Sequence, residues 1–183
     1  VSELKILALS GSLRSASLNS ALLRSTVRLA PPGISVRLFA GIGDLPLFNP
    51  DLEATWPPPV AALTEAVATA DALIIASPEY AHGISGVMKN ALDWLVGGDA
   101  FVNKPVALFN ASPRSTYALT ALREVIAVMS GRLVAAADLE LPIRGSGLDE
   151  HGIGRDPAMS TAIRTSLLAL QHAVQEFRQT DNG

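Results

Sequence analysis

The sequence predicts an α/β fold: a doubly wound, five-stranded parallel sheet with helices on both faces. Three observations carry this. Apolar runs of strand length alternate with segments of helical period along the whole chain. The run ALIIAS, from Ala72 to Ser77, is apolar on both faces, as a central strand of a covered sheet must be. Clusters of small polar residues and glycine follow directly after strand-like runs, where such folds place their working loops.

LKILAL (Leu4 to Leu9) reads as the first strand, and Leu18, Leu22 and Leu29 share one face of a helix that ends near APPG. ISVRLF (Ile34 to Phe39) alternates apolar and polar residues, the pattern of a strand near a sheet edge. Ala40 to Pro59 is a Gly-, Pro- and Asp-rich loop containing Leu45, Leu47, Phe48 and Trp56. A second helix fits VAALTEAVATA, with Pro57, Pro58 and Pro59 at its start. After ALIIAS, GVMKNALDWLV reads as the third helix and KPVALFNAS as the fourth strand.

YALTALREVIAVMS makes a fourth helix ending at Gly131, and RLVAAADLEL a weaker fifth strand. Asp156 caps the last helix and Pro157 suits its first turn; Ile163, Leu167, Leu170, Val174 and Phe177 repeat at helical spacing. No repeat, low-complexity tract or linker interrupts the 183 residues, so a single domain over residues 1–183 is expected.

Composition excludes several classes of function. Hydrophobic residues make up 49% and charged residues 17%, which is globular rather than disordered. A net charge of −3 offers no basic stripe for nucleic acid and no polybasic patch for a membrane. Without cysteine there is no disulfide, thiolate nucleophile or iron–sulfur cluster, so any redox chemistry needs an organic cofactor. No His–Glu metal spacing appears, and no metal site is expected. The first residues lack the pattern of a secretory signal, and the apolar runs are too short to span a bilayer; a cytoplasmic location is expected.

Three loops fall at strand ends: SGSLRSAS, SPEYAHG and NASPRST. The first continues to SLNS, and from Ser10 to Ser20 holds five serines, one glycine and one arginine. A helix N-terminus presents unpaired N–H groups and a partial positive charge. Ser12, Ser17 and Ser20 add hydroxyls, Asn19 an amide and Arg14 a guanidinium, with Gly11 permitting a tight turn; together they could enclose a phosphate. The plainer reading is that Ser17 caps the helix and the other serines fill a solvated turn. G-x-G-x-x-G, G-x-x-x-x-G-K-[ST] and G-x-S-x-G are all missing, which directs the argument to a mononucleotide site of flavodoxin type. In SPEYAHG, Pro78 stiffens the turn, Tyr80 and His82 are planar groups, and Gly83 allows close backbone approach. His82 also reads as an exposed loop histidine, and Glu79 as a surface or interface carboxylate.

GSLRSASLN followed by SPEYAHGISGVMKNALDWL resembles the NADPH-dependent FMN reductase family, which includes small quinone, azo-dye and chromate reductases. The resemblance implies a flavodoxin-like fold, FMN as cofactor, and NADPH or NADH as co-substrate. It implies a phosphate site in the loop Ser12 to Asn19, including Leu13 and Leu18, with Arg14, Ser17 and Asn19 as side-chain contacts. The flavin ring would rest on the backbone of Pro78, Glu79, Tyr80, Ala81, His82 and Gly83, with Ser112 closing the far side. Lys89, Asn90, Asp93 and Trp94 are then structural or at an interface. The chain departs from the family at Ala81, where Asn is common, and at Ser85, where Pro is common. SPRSTY replaces a glycine-rich run, so Arg114 and Tyr117 reshape the mouth of the site.

The expected activity is hydride transfer from a nicotinamide through FMN to a small acceptor (a quinone, flavin, azo compound or metal oxyanion) by a ping-pong mechanism. No side chain is nominated as catalytic, because the cofactor carries the chemistry. The alternative is a flavodoxin-like electron carrier, but such carriers surround the flavin with acidic residues, and here the rim holds Arg14, His82 and Arg114. A phospho-acceptor signalling domain would need acidic residues after the first strand. Val87, Met88, Ala91, Leu92, Trp94 and Leu95 cover more of their helix than one stripe, which predicts a two-fold homodimer unless the loop Gly41 to Trp56 folds back over them; the family resemblance implies a homodimer or homotetramer.

Overall fold

The structure, a computed structural model, describes residues 3–181. Strand β1 (Leu4–Ser10) pairs on one side with β2 (Ile34–Leu38) and on the other with β3 (Ala72–Ala76), both in parallel. β3 is fully buried at all five positions, as its apolar composition requires. A two-residue-per-strand hairpin, β4 (Glu79–Tyr80) and β5 (Gly83–Ile84), stands apart from the main sheet. β6 (Pro105–Asn110) pairs in parallel with β3, and the far edge is formed by β7 (Arg132–Leu133) and β8 (Leu139–Glu140), both parallel to β6. The order β2-β1-β3-β6-β7 is the flavodoxin-like winding, with its switch point between β1 and β3.

The fifth strand is therefore split, a correction to the continuous RLVAAADLEL. Ala135–Ala137 form a 3-10 turn between β7 and β8, because alanine has little strand preference and this edge has no further neighbour to hold it. Asp138 bridges the gap: its Oδ1 accepts from the Leu108 amide at 2.7 Å, replacing a ladder carbonyl, while Oδ2 pairs with Arg123.

Helices α1 (Leu18–Leu29), α5 (Glu150–Arg155) and α6 (Pro157–Asp181) cover one face of the sheet; α2 (Pro58–Ala68), α3 (Gly86–Val96) and α4 (Thr116–Val128) cover the other. The alternation along the strands follows: Ile6, Ala8, Ile74 and Phe109 face α1 and α6, while Leu7, Leu9, Ile75 and Leu108 face α2, α3 and α4. Asp156 caps α6 by accepting from the Met159 amide at 2.9 Å. α5 has no apolar period of its own; it starts on Asp149, which accepts from Gly152 at 2.8 Å, and is held to α1 by Arg24 and Arg28 on Glu150.

The segment after β2 folds back on α3. Met88, Ala91, Leu92, Trp94 and Leu95 are all buried, and Pro46 O accepts from both the Trp94 indole at 2.8 Å and Asn90 Nδ2 at 3.0 Å. Asn90 Oδ1 in turn accepts from the Phe48 amide at 2.8 Å, and Phe48 meets the Trp94 ring edge-on at 5.1 Å. The apolar surplus on α3 is thus covered within the chain and does not itself call for a second subunit. Asn90 and Trp94 are structural, and Lys89 and Asp93 form an ion pair at 2.6 Å on the outer side of the same helix.

Candidate active site

Three loops leave the carboxyl ends of β1, β3 and β6 and meet across the switch point. Gly11 opens the first with its amide on Ala76 O at 2.8 Å. Its glycine serves packing rather than a left-handed turn: a Cβ there would lie 2.6 Å from Ser77 Oγ and 2.8 Å from Ser85 Oγ. Ser85 caps α3 at the Met88 amide and donates to Gly11 O at 2.6 Å, so it ties the first loop to the second.

The serine-rich stretch divides into two roles. Ser17 caps α1, its Oγ accepting from the Ser20 amide at 3.2 Å. Ser20 does not face a ligand, as the sequence had suggested; it is buried and bonded to Ser10 Oγ at 2.7 Å. Asn19 is buried too, and its Oδ1 accepts from the Ala111 amide at 3.3 Å, fastening α1 to the loop after β6. The first amides of α1, those of Leu18 and Asn19 among them, lack helical acceptors.

The second loop is the β4–β5 hairpin. Ala81 and His82 occupy its turn with φ of 49° and 58°, the paired left-handed geometry of a two-residue hairpin usually filled by Asn-Gly. Each such residue costs about 1 kcal/mol, so the surroundings must hold the turn. They do so from α4. The His82 imidazole stacks on Tyr117 with centroids 4.1 Å apart and planes at 16°, and Glu79 Oε2 accepts from the Ala118 amide at 2.9 Å. Glu79 is therefore the side-chain cap of α4, whose own N-cap residue Ser115 makes no such bond. Gly83 is not required by space, since a Cβ there would meet only Tyr80 O at 3.6 Å.

The third loop places Ser112. Its amide donates to Asn110 Oδ1 at 3.0 Å, and its hydroxyl oxygen is buried without a hydrogen-bond partner. A buried polar atom left open costs about 1–3 kcal/mol, and its position on a cavity wall marks a place for a ligand.

These loops enclose a cavity of about 400 Å³. Of the residues expected from the sequence, Ser12, Arg14, Ser17, Leu18, Asn19, Pro78, Glu79, Tyr80 and Ser112 line it. Leu13 lies outside the wall, 62% exposed and against Gly43; Ala81, His82 and Gly83 lie beyond it on the hairpin. Ala16, Ala111, Ser115 and Arg144 also line it and had not been expected. Arg144 follows β8, and the rule that ligands sit beyond the carboxyl ends of strands would have reached it had the fifth strand been extended to its loop. Among the described residues, no group of acidic, histidine or cysteine side chains could hold a metal ion, and no helix is long and apolar enough to cross a membrane.

The family profile described as NADPH-dependent FMN reductase matches residues 4–142, which contain all three loops. The chain belongs to the NADPH-dependent FMN reductase family. It is 35% identical over 182 residues to an NAD(P)H-dependent FMN reductase of Pseudomonas aeruginosa, covering 96% of this chain and 98% of that one. It is 35% identical over 114 residues to a quinone reductase of Escherichia coli, a match spanning 60% of this chain and 61% of that protein. A flavoenzyme NAD(P)H:(acceptor) oxidoreductase of Paracoccus denitrificans shares the fold with a TM-score of 0.79 at 24% identity, over 92% of this chain and 97% of that one. As a member of this family the chain is an oxidoreductase with FMN as cofactor and NAD(P)H as co-substrate.

The residues present fit FMN. An anionic phosphate suits the start of α1 with Arg14 and the Ser17 cap; a planar ring suits the backbone of the hairpin; and the open hydroxyl of Ser112 supplies a polar contact.

Proposed function

We propose that this chain reduces a small acceptor, a quinone above all, with electrons from NAD(P)H, the two substrates taking turns on one face of the site. When bound, FMN supplies the hydride chemistry. Arg14 and the first amides of α1 hold the phosphate, and the Ser17 hydroxyl caps the same helix. The hairpin backbone from Pro78 to Gly83 supports the ring, kept in place by Glu79 on α4 and by the His82–Tyr117 stack. Ser112 contributes its unpartnered hydroxyl at the opposite wall. No side chain of the site needs to act as a general acid, since the chain's task is to bind, orient and leave one face open.

The observation that carries this reading is the buried Ser112 hydroxyl, without a partner among the described residues, on a cavity that the start of α1 and Arg14 also line. Relatives named FMN reductase and quinone reductase support the acceptor class. The purified protein should be yellow and should bleach anaerobically on addition of NADPH or NADH. Varying quinone at several nicotinamide concentrations should give parallel double-reciprocal lines. Intersecting lines would remove the shared face, and bound FMN with no turnover would make the protein an electron carrier.

We further propose a cytoplasmic, single-domain protein that forms a homodimer or homotetramer. Leu13 in the first loop and Leu47 in the segment over α3, 62% and 84% exposed, supply apolar surface that the buried face of α3 does not. Sedimentation at micromolar concentration tests this, and a species near 19.1 kDa throughout would overturn it.

A further inference from the structure

Beside the cavity described above lies a second one of about 380 Å³, lined by Ser112, Pro113, Arg114, Pro142, Arg144 and Gly145. The two share Ser112 and Arg144, so they form one continuous surface. Its two arginines stand on anchored backbone. The Arg144 amide donates to Ala111 O at 3.2 Å and follows the fully buried Ile143; Arg114 sits in a turn closed by the Ser115 amide on Ser112 O at 3.0 Å. Two prolines flank them and remove backbone donors from the wall, leaving the guanidinium groups as its recognition chemistry.

Among the described residues, neither Arg114 nor Arg144 has a side-chain hydrogen bond or ion pair. Four other arginines are engaged: Arg24 and Arg28 with Glu150, Arg123 with Asp138, Arg178 with Asp71. The carboxylates of the surrounding elements are also taken. Glu79 accepts from Ala118 N at 2.9 Å, Glu140 from Asn110 Nδ2 at 3.0 Å, and Asp149 from Gly152 N at 2.8 Å. The region therefore presents two uncompensated positive forks to solvent at the edge of the flavin cavity. A guanidinium fork matches phosphate oxygens two at a time.

We propose that Arg114 and Arg144 form a second anion subsite that holds a phosphate of the nicotinamide dinucleotide while its nicotinamide lies on the open face. This rests on the function proposed above. The start of α1 with Arg14 already provides for the phosphate of FMN, so a second anion site one cavity away serves the other phosphate-bearing molecule of the reaction. The phosphate is either the pyrophosphate, common to NADH and NADPH, or the 2′-phosphate of NADPH alone.

The test uses Arg114→Gln, Arg144→Gln and the double variant as FMN-loaded protein. Steady-state KM for NADPH should rise about tenfold per arginine with melting temperature nearly unchanged, and in Arg114→Gln, which lies off the wall of the flavin cavity, kcat and FMN content should hold as well. An equal rise for NADH assigns the pyrophosphate, and a rise for NADPH alone assigns the 2′-phosphate. Calorimetric titration with 2′,5′-ADP and with ADP gives a readout that needs no turnover: the wild type should bind at least one, and the double variant should lose it. Arg→Lys variants should recover part of the affinity. Unchanged nicotinamide KM and unchanged nucleotide binding would overturn the subsite. So would loss of FMN, which would place the arginines on the cofactor, or a KM change confined to a carboxylated quinone. A wild type with no nicotinamide oxidation would remove the functional reading instead, and the titrations would still decide the subsite.

Discussion

The segment from Gly41 to Trp56 and the mouth of the active site are made of similar material and do opposite things. Both are rich in Gly, Pro and polar residues, and both carry aromatic side chains. In the first, the polar groups face inward and find each other: Pro46 O takes the Trp94 indole and Asn90, and Asn90 returns a bond to Phe48. In the second, among the described residues, Ser112 Oγ has no partner and Arg114 and Arg144 are unpaired, while Ala81 and His82 hold a backbone conformation costly for residues other than glycine. A loop whose donors are matched within the chain is a clamp. One whose donors are left open has a binding free energy still to gain, at some expense of stability.

That contrast is broken or sharpened by four measurements. The largest effect should come from Trp94→Ala, which empties a fully enclosed site and removes the indole bond to Pro46; unfolding in urea should show a loss of about 3–5 kcal/mol. FMN affinity of the molecules that remain folded should hardly change, and a parallel loss of both would mean that clamp and mouth are one unit. Next, Arg14→Ala with Ser17→Ala should weaken FMN about 100-fold and riboflavin little, since the phosphate contact is charge-assisted. Stability should fall by only about 1 kcal/mol, the usual worth of a helix cap such as Ser17. Equal weakening for both ligands would remove the phosphate assignment.

Glu79 lies on the boundary between the two regimes, lining the cavity while capping α4. Glu79→Ala should cost about 1 kcal/mol and speed hydrogen exchange at the Ala118 amide, with Glu79→Gln keeping part of the protection. Unaltered exchange would show that the carboxylate does not hold the hairpin to the helix.

The smallest effect concerns pH. Hydrogen bonding from Arg24, aided by Arg28, holds the Glu150 carboxyl below its ordinary value of 4.5. A depressed native value means that its contribution is present above about pH 4.5 and is lost as pH falls through the native value. Glu150→Gln should flatten that acid limb of the stability curve. An acid limb identical in the two proteins would show that this seam contributes nothing measurable.

What the sequence determined by itself is local. The order of strands and helices follows from the alternation of periods, the starts of α1 and α6 from Ser17 and Asp156, and the start of α2 from Pro58 at its first turn. The location of the working loops follows from the strand ends, so most of the cavity wall was legible, and the serine–arginine loop with its P-E-Y partner sufficed for the family. What depended on side chains meeting across the chain was decided only by the tertiary structure. Ser20 turns inward because Ser10 is beside it; Glu79 caps a helix 39 residues away; Asp138 replaces a strand carbonyl 30 residues away. The α3 face is closed by Pro46 and Phe48 rather than by another subunit, and Arg144 reaches the cavity because its amide pairs with Ala111. Periodicity and capping act within a few residues and can be read along the chain. Which donor is matched and which is left open depends on three-dimensional neighbours, and in this molecule that difference separates its clamp from its binding site.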